Sequence, residues 1–317
     1  MLKTDITAVI ALENRTRALP AMLACLAKQT LPAACYEVIF VLYGRSTREQ
    51  LAVVEHYAAG APMPIKCLYA PGSGEVHARN VGAFSARGEW LLFLDQDLLA
   101  GPRLLSSHLD LHRKHPVRAI VQGAVERSKS LHAGSLTRWF MQHDKDLMAA
   151  ARPDSPLYWS SRHCSLPHDF FIEGGGFNES YEASRAADIT FLRRILRNGS
   201  AALTLPGVHA FIWREAQFEE ERRRFWREGF DLCRLSRALK DPDIMFHFEL
   251  YRAPIRFWMD DAFMPFYIKI CREGPLDVRI HGKSCLRVFT HECRRGAVNA
   301  LTEQTAVGRP ESVFIAP

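Results

Sequence analysis

The strongest constraint on this chain is a set of short, almost unbroken apolar runs separated by segments of helical periodicity. "ITAVIAL" (Ile6 to Leu12), "YEVIFVLY" (Tyr36 to Tyr43) and "EWLLFLD" (Glu89 to Asp95) lack the polar–apolar alternation of a half-exposed strand. As strands they require cover on both faces. The intervening segments supply it. Pro20 to Gln29 has helical spacing with proline in the first turn, where its missing N–H is harmless. "STREQLAVVEHYAAG" offers Ser46 as a cap with Glu49 three residues later, and "GEVHARNVGAFSARG" is a helix stopped at Gly88. "IKCLYA", a helix over about Pro102 to Lys114, and "RAIVQGAVE" continue the order. Alternating strand and helix predict the α/β class: an open, doubly wound, mostly parallel sheet with helices on both faces.

From Ser128 to about Pro167 the pattern dissolves into polar, aromatic and proline-containing sequence, the mark of a functional loop or an inserted element. Order returns at "FFIEGGGFNES" and in the helix "DITFLRRILRNG", where Ile189, Leu192 and Leu196 form a stripe ending at Asn198-Gly199. "AALTLPGVHAFIW" reads as a final strand pair, and the chain beyond Arg214 is helical and aromatic. The expected organisation is an α/β domain over 1–213 and a largely helical region over 214–317 packing on it.

The 317 residues, 48% hydrophobic and 24% charged, suit a globular protein with ample core. "MLKTDITAVIALENRTR" lacks a signal-peptide pattern, and no segment approaches the ~20 apolar residues of a spanning helix. The expected location is cytoplasmic, or peripheral at the inner face of a membrane. Eight cysteines without a CxxC read as reduced thiols, and the spacings of His281, Cys285, His291 and Cys293 match no common zinc pattern. A net charge of +6 favours anionic partners but is too diffuse for nucleic acid.

The stretch "GEWLLFLDQDLLAG" ends a buried run on Asp95 and Asp97. In open α/β sheets ligands bind beyond the carboxyl ends of the strands. Two carboxylates there repel, and a divalent Mn2+ or Mg2+ with positions open for phosphate oxygens would relieve the repulsion. A hydrated acidic turn is the plain alternative.

"VIALENRTRALPAMLACLAKQT", "YEVIFVLYGRST", "ARNVGAFSARGEWLLFLDQD" and "GGGFNESYEASRAADITFLRRILRNG" resemble successive blocks of the GT-A glycosyltransferases of family 2, from about Thr7 to His209. The resemblance implies an inverting, metal-dependent hexosyltransferase. It would use a nucleoside-diphosphate-sugar donor and an acceptor hydroxyl on a glycan, a lipid-linked carrier or a small molecule. It implies that Asp95 faces the donor's ribose and phosphates, that Asp97 ligates the metal, and that Arg79 lies near the nucleotide. His209 is either a further metal ligand or a strand histidine satisfied by hydrogen bonds. Asp188 takes the place of the general base, or caps its helix; either role suits the positive end of the helix dipole. The stretch 128–167 would be the acceptor loop, and Gly174 to Phe177 a tight turn under the acceptor.

Two departures stand out. Leu42-Tyr43-Gly44-Arg45 replaces the family's acidic residues after the second strand, and Ala187 replaces the first acid of the Glu-Asp dyad. Tyr43 would then stack on or hydrogen-bond to the nucleobase, with Glu13 compensating nearby. These losses also motivate a rival reading, a catalytically inactive nucleotide-sugar-binding or scaffold protein. A nucleotidyltransferase is disfavoured, because no glycine-rich, lysine-bearing loop follows the first strand. In the C-terminal third, arginines interleaved with Phe225, Trp226, Phe257, Trp258, Phe263 and Phe266 either pack over the sheet or rest on anionic lipid.

Overall fold

Parallel pairing of the three apolar runs organises the molecule. β1 (Ile6–Leu12) lies between β2 (Tyr36–Gly44) and β4 (Trp90–Leu94), so that Val9 is opposite both Ile39 and Phe93. β3 (Ile65–Pro71) adds outside β2, also in parallel. This computed structural model describes residues 4–13, 18–115, 118–128, 134–150, 157, 159–182, 184–197, 199–248, 250, 254–273 and 278–307. They fall into two compact units, Met1–His132 with His143–Arg214, and Ala133–Gln142 with Glu215–Pro317.

In the first unit the eight strands run in the order β3-β2-β1-β4-β7-β6-β8-β5. Helices α1 (Leu19–Ala27), α2 (Arg48–Ala59), α3 (Glu75–Phe84) and α4 (Leu104–Lys114) connect the early strands. α2 begins one residue later than the sequence suggests: Thr47, not Ser46, caps it, in a reciprocal capping box with Gln50. β7 (His163–Pro167) turns the sheet mixed, pairing antiparallel with both β4 and β6 (Ala119–Arg127). β8 (Ala201–Ile212) is a single strand parallel to β6, where a strand pair was expected. A register shift opposite Pro206 to Val208, with Gly207 at φ +69°, is the irregularity that resembles a turn in sequence. The short β5 (Leu98–Ala100) closes the edge on β8.

The segment expected as an acceptor loop contains α5 (Ser135–Ala150) as well as β7, followed by α6 (His168–Glu173) and α7 (Ser184–Arg197). β7 escapes a hydrophobicity reading because it carries His163 and Ser165, yet it is wholly buried. Its polar groups are satisfied by α4: His108 Nδ1 and His112 Nε2 lie 2.6 and 2.7 Å from Ser165 Oγ, and His108 Nε2 lies 2.9 Å from His163 Nε2. The polar intrusions in the apolar strands are settled in the same way. Thr7 Oγ1 donates to buried Glu37 (2.7 Å) and accepts from Gly88 N (2.9 Å). Gly88 is required there, since a Cβ would come 2.6 Å from Thr7 N.

The second unit comprises α8 (Phe218–Leu239), α9 (Asp243–His247), α10 (Pro254–Glu273), α11 (Val278–Val307) and the start of α5. α8 and α11 touch through glycines: a Cβ at Gly229 would overlap the Cys293 carbonyl, and one at Gly296 the Trp226 carbonyl. Phe225 packs with Phe289, ring centroids 5.0 Å apart, inside this unit's own core. Phe263 and Phe266 are 57% and 60% exposed, while the side chains of Phe257 and Trp258 lie outside the described residues. No helix of the described residues is long and apolar enough to cross a membrane.

Candidate active site

Because β1, β2 and β4 run in parallel, their carboxyl ends bring Glu13, Gly44 and Asp95 to one edge of the sheet. Asp95 to Leu98 is a tight turn, closed by Leu98 N donating to Asp95 O at 3.1 Å. Three neighbours pin it. Asp95 N donates to Arg162 O (2.9 Å), Trp213 N donates to Asp97 O (2.8 Å), and Glu13 N donates to Gln96 Oε1 (2.9 Å). Gly44, at φ +66°, could not carry a side chain without crowding Glu13, whose Oε1 would lie 3.1 Å from a Cβ placed there.

Each aspartate is met by arginine. Asp95 Oδ1 pairs with Arg79 (2.7 Å) and its Oδ2 with Arg162 Nε (2.5 Å). Arg79 also reaches Glu75 one turn back on α3 at 2.5 Å. Asp97 Oδ2 lies 2.9 Å from Arg214 Nε. Burial pushes the Asp95 carboxyl up, but Arg162 and Arg79 outweigh it and hold the pKa below its usual value. Burial likewise disfavours the Arg79 charge, and Glu75 and Asp95 outweigh that to raise its pKa.

Arg79 extends this cluster toward the third element. Its second terminal nitrogen donates to Ser161 Oγ, and Ser161 N donates to Asp188 Oδ2 at 3.1 Å. Asp188 is therefore no cap: it lies within α7, reaches across to the residue two before β7, and is 2% exposed. Its Oδ1 has no hydrogen-bond partner among the described residues. Burial raises its pKa to about 6, outweighing Arg79 and the Ser161 hydrogen bonds. The stabilisation expected from the helix dipole is thus overridden by desolvation.

Neighbouring structure fixes these elements. Asn80 holds the glycine turn, with its Nδ2 donating to Phe177 O and its Oδ1 accepting from Phe177 N, both at 2.9 Å. Gly175 and Gly176 both have φ +71° in that turn.

Two sequence expectations change. Tyr43 is 7% exposed and packed beside Ala11, Val41 and Ala78, so its ring presents no open stacking face. His209 is not brought to the aspartates: it sits on β8 opposite Ala124, its Nδ1 3.0 Å from Glu126 Oε1. Among the described residues no three His, Cys, Asp or Glu side chains gather into a group that could hold a metal ion. Of the expected set, Asp95 and Asp97 stand together at the strand end, whereas the register of β8 places His209 beside Glu126 instead. Asp95 and Asp97 are the carboxylates that would hold Mn2+ or Mg2+, with the donor's phosphate oxygens completing the shell.

The family model described as Glycosyl transferase family 2 matches residues 7–172, more than half of the chain. The chain belongs to glycosyl transferase family 2. The matched residues include Arg79, Asp95, Asp97 and Arg162 and stop short of Asp188, His209 and Arg214. An uncharacterized glycosyltransferase of Haemophilus influenzae is 32% identical over 104 residues, covering 32% of this chain. The match spans about a third (33%) of that relative. Among solved structures, the mannosyltransferase PcManGT from Pyrobaculum calidifontis, in complex with GDP-Man and Mn2+, is similar at a TM-score of 0.58 and 18% identity. That likeness covers 97% of this chain and 77% of that one. S. aureus TarS 1-349 in complex with UDP gives 0.54 at 15% identity, over 98% and 95% of the two chains. At such identities the likeness carries the fold, which is GT-A with a helical C-terminal region.

The family's sequence blocks pointed to Asp95, Asp97, Arg79 and Asp188, but sequence reasoning missed Ser161, Arg162 and Arg214. The first two lie in the stretch without periodicity. Arg214 follows the last strand closely, where nothing but its charge marked it.

Proposed function

We propose that this family 2 domain transfers a sugar from a nucleoside-diphosphate sugar to an acceptor hydroxyl, with inversion at the anomeric carbon. The observation that carries the reading is the continuous chain of contacts Asp95–Arg79–Ser161–Asp188, which couples the end of β4 to a buried carboxylate on α7. In the proposed step the acceptor oxygen attacks the anomeric carbon and its proton passes to Asp188 Oδ1. The bond from that carbon to the diphosphate oxygen breaks, and its electron pair leaves with the nucleoside diphosphate. A pKa near 6 suits this base, which is ionised at neutral pH yet basic enough to accept a proton.

PcManGT is described with GDP-Man and TarS with UDP, and donors of this class are what we propose here; the acceptor is a glycan, a lipid-linked carrier or a small molecule. The exposed Phe263 and Phe266 favour peripheral contact with a membrane face.

The test is a panel of sugar nucleotides assayed for release of nucleoside diphosphate. Asp188→Asn should lower transfer by about 10²–10⁴-fold while donor binding persists. Wild-type turnover by that variant would refute the base. Donor binding without any transfer by the native chain would establish the rival binding-protein reading, which the absence of acids at Tyr43 and Ala187 favours.

A further inference from the structure

We infer that Glu13 reads the nucleobase of the donor and selects guanine, its carboxylate accepting from the N1–H and N2–H groups of that base; the inference rests on the nucleoside-diphosphate-sugar reading above.

The order of the strands gives the donor a direction. Asp188 is joined to Asp95 through Arg79 and Ser161, the residue two before β7, so the sugar and the acceptor meet on the β7 side of β4. With the diphosphate at the Asp95–Asp97 turn, the nucleoside extends the other way, over the ends of β1 and β2. The end of β2 is two strand spacings from β4, about 10 Å.

Glu13 stands at that end. It follows β1 directly, and its carboxyl group lies across the end of β2: its Oε1, Cγ and Cδ would be 3.1, 3.4 and 3.6 Å from a Cβ placed on Gly44. Gly44, without a side chain, leaves that space to Glu13. The Gly44 backbone is engaged with the turn after β3, its N–H donating to Ser73 O (3.1 Å) and its carbonyl accepting from Gly72 N (2.8 Å), so recognition falls to the Glu13 side chain. Glu13 N donates to Oε1 of Gln96, the residue between the two aspartates, at 2.9 Å. That bond fixes how far the carboxylate stands from the diphosphate position.

The chemistry separates the nucleobases. An ionised carboxylate only accepts hydrogen bonds, through two oxygens side by side. Guanine presents two donors side by side, N1–H and N2–H, and the contact closes as a bidentate pair. Uracil and thymine present one donor, N3–H, flanked by two carbonyl oxygens, one of which would face the second carboxylate oxygen. Adenine and cytosine place a ring acceptor beside their amino group. The potential around Glu13 has the matching sign. Burial raises the Tyr43 pKa well above its usual value, and Glu75, Glu13 and Asp95 add to that against Arg79, so donors are favoured there over acceptors.

The experiment is calorimetric titration of the whole chain, in Mn2+, with GDP, IDP, UDP, dTDP and ADP. GDP should bind tightest, with IDP, which lacks the N2 amino group, weaker by about tenfold and the others by about 10- to 100-fold. Glu13→Gln, which turns one acceptor oxygen into a donor, should weaken GDP by about 10- to 100-fold and UDP by less than about threefold, at the wild-type thermal midpoint. Binding of UDP, dTDP or ADP as tightly as GDP overturns the inference and leaves the donor reading standing. Equal binding of GDP and IDP overturns the bidentate contact, and equal losses for GDP and UDP in Glu13→Gln overturn the part given to Glu13. Failure of all five nucleotides to bind overturns the donor reading and this inference with it. The comparison of nucleotides uses the unaltered protein, so it decides even if the variant misfolds.

Discussion

At Asp188 two influences on one carboxyl oppose each other: proximity to a helix start favours the anion, and burial favours the acid. Burial wins, with Arg79 and the Ser161 hydrogen bonds pulling only part of the way back, and the pKa settles at about 6. If Asp188 is the base, kcat/KM should rise with pH through an acid limb near pH 6 and level off above it. A profile flat between pH 5 and 8 would remove Asp188 from the proton transfer. The candidate residues were legible in sequence because aspartates after an apolar run are conspicuous. Their partners were not, since Ser161, Arg162 and Arg214 gain meaning only when β7 is laid beside β4 and the end of β8 meets the turn that follows β4. Tyr43 was legible only in part: burial among alanine and valine side chains removes the stacking face, while the Glu13, Glu75, Arg79 and Asp95 charges act on its hydroxyl.

At the scale of elements, the sheet edge is held in register by how closely α3 lies on it. A Cβ at Gly82 would overlap Val9 and come 3.1 Å from Val41. Two effects compete in Gly82→Ala. Helix propensity alone would stabilise by about 1 kcal/mol, whereas overpacking costs about 1–3 kcal/mol. Overpacking should win, so urea unfolding is expected to show a lower midpoint with an unchanged slope. A stabilised variant would mean that α3 does not approach so closely. Helix α3 also carries Glu75, Arg79 and Asn80, so its placement sets the acidic turn and the glycine turn together. The continuous strands and capped helices were readable from periodicity. β7 was not, because five residues with two polar side chains give no apolar signal until the α4 histidines satisfy them.

For the first unit as a whole, those histidines set a pH limit. Burial depresses the pKa of His108 well below normal and takes His112 and His163 to about 4, so all three are neutral when folded. Unfolded histidines titrate near 6.5. Their contribution to stability is therefore complete above about pH 6.5 and is lost as the pH falls toward 4. Asp188 and Glu75 act in the other direction, their raised pKa values costing stability as the pH rises, whereas Asp95 and Glu179, held below their usual values, act with the histidines. The thermal midpoint of this unit should fall steadily between pH 6.5 and 4.5, followed by calorimetry; a level midpoint would show that the histidines are not held neutral. The sequence by itself determined the α/β class, the parallel start of the sheet and the strand-end aspartates, because these follow from local periodicity and from where an apolar run stops. Only the tertiary structure decided the mixed sheet, the buried histidine–serine network and the arginines that answer the aspartates. Charge balance and desolvation depend on which side chains distant in sequence become neighbours, and no local pattern records that.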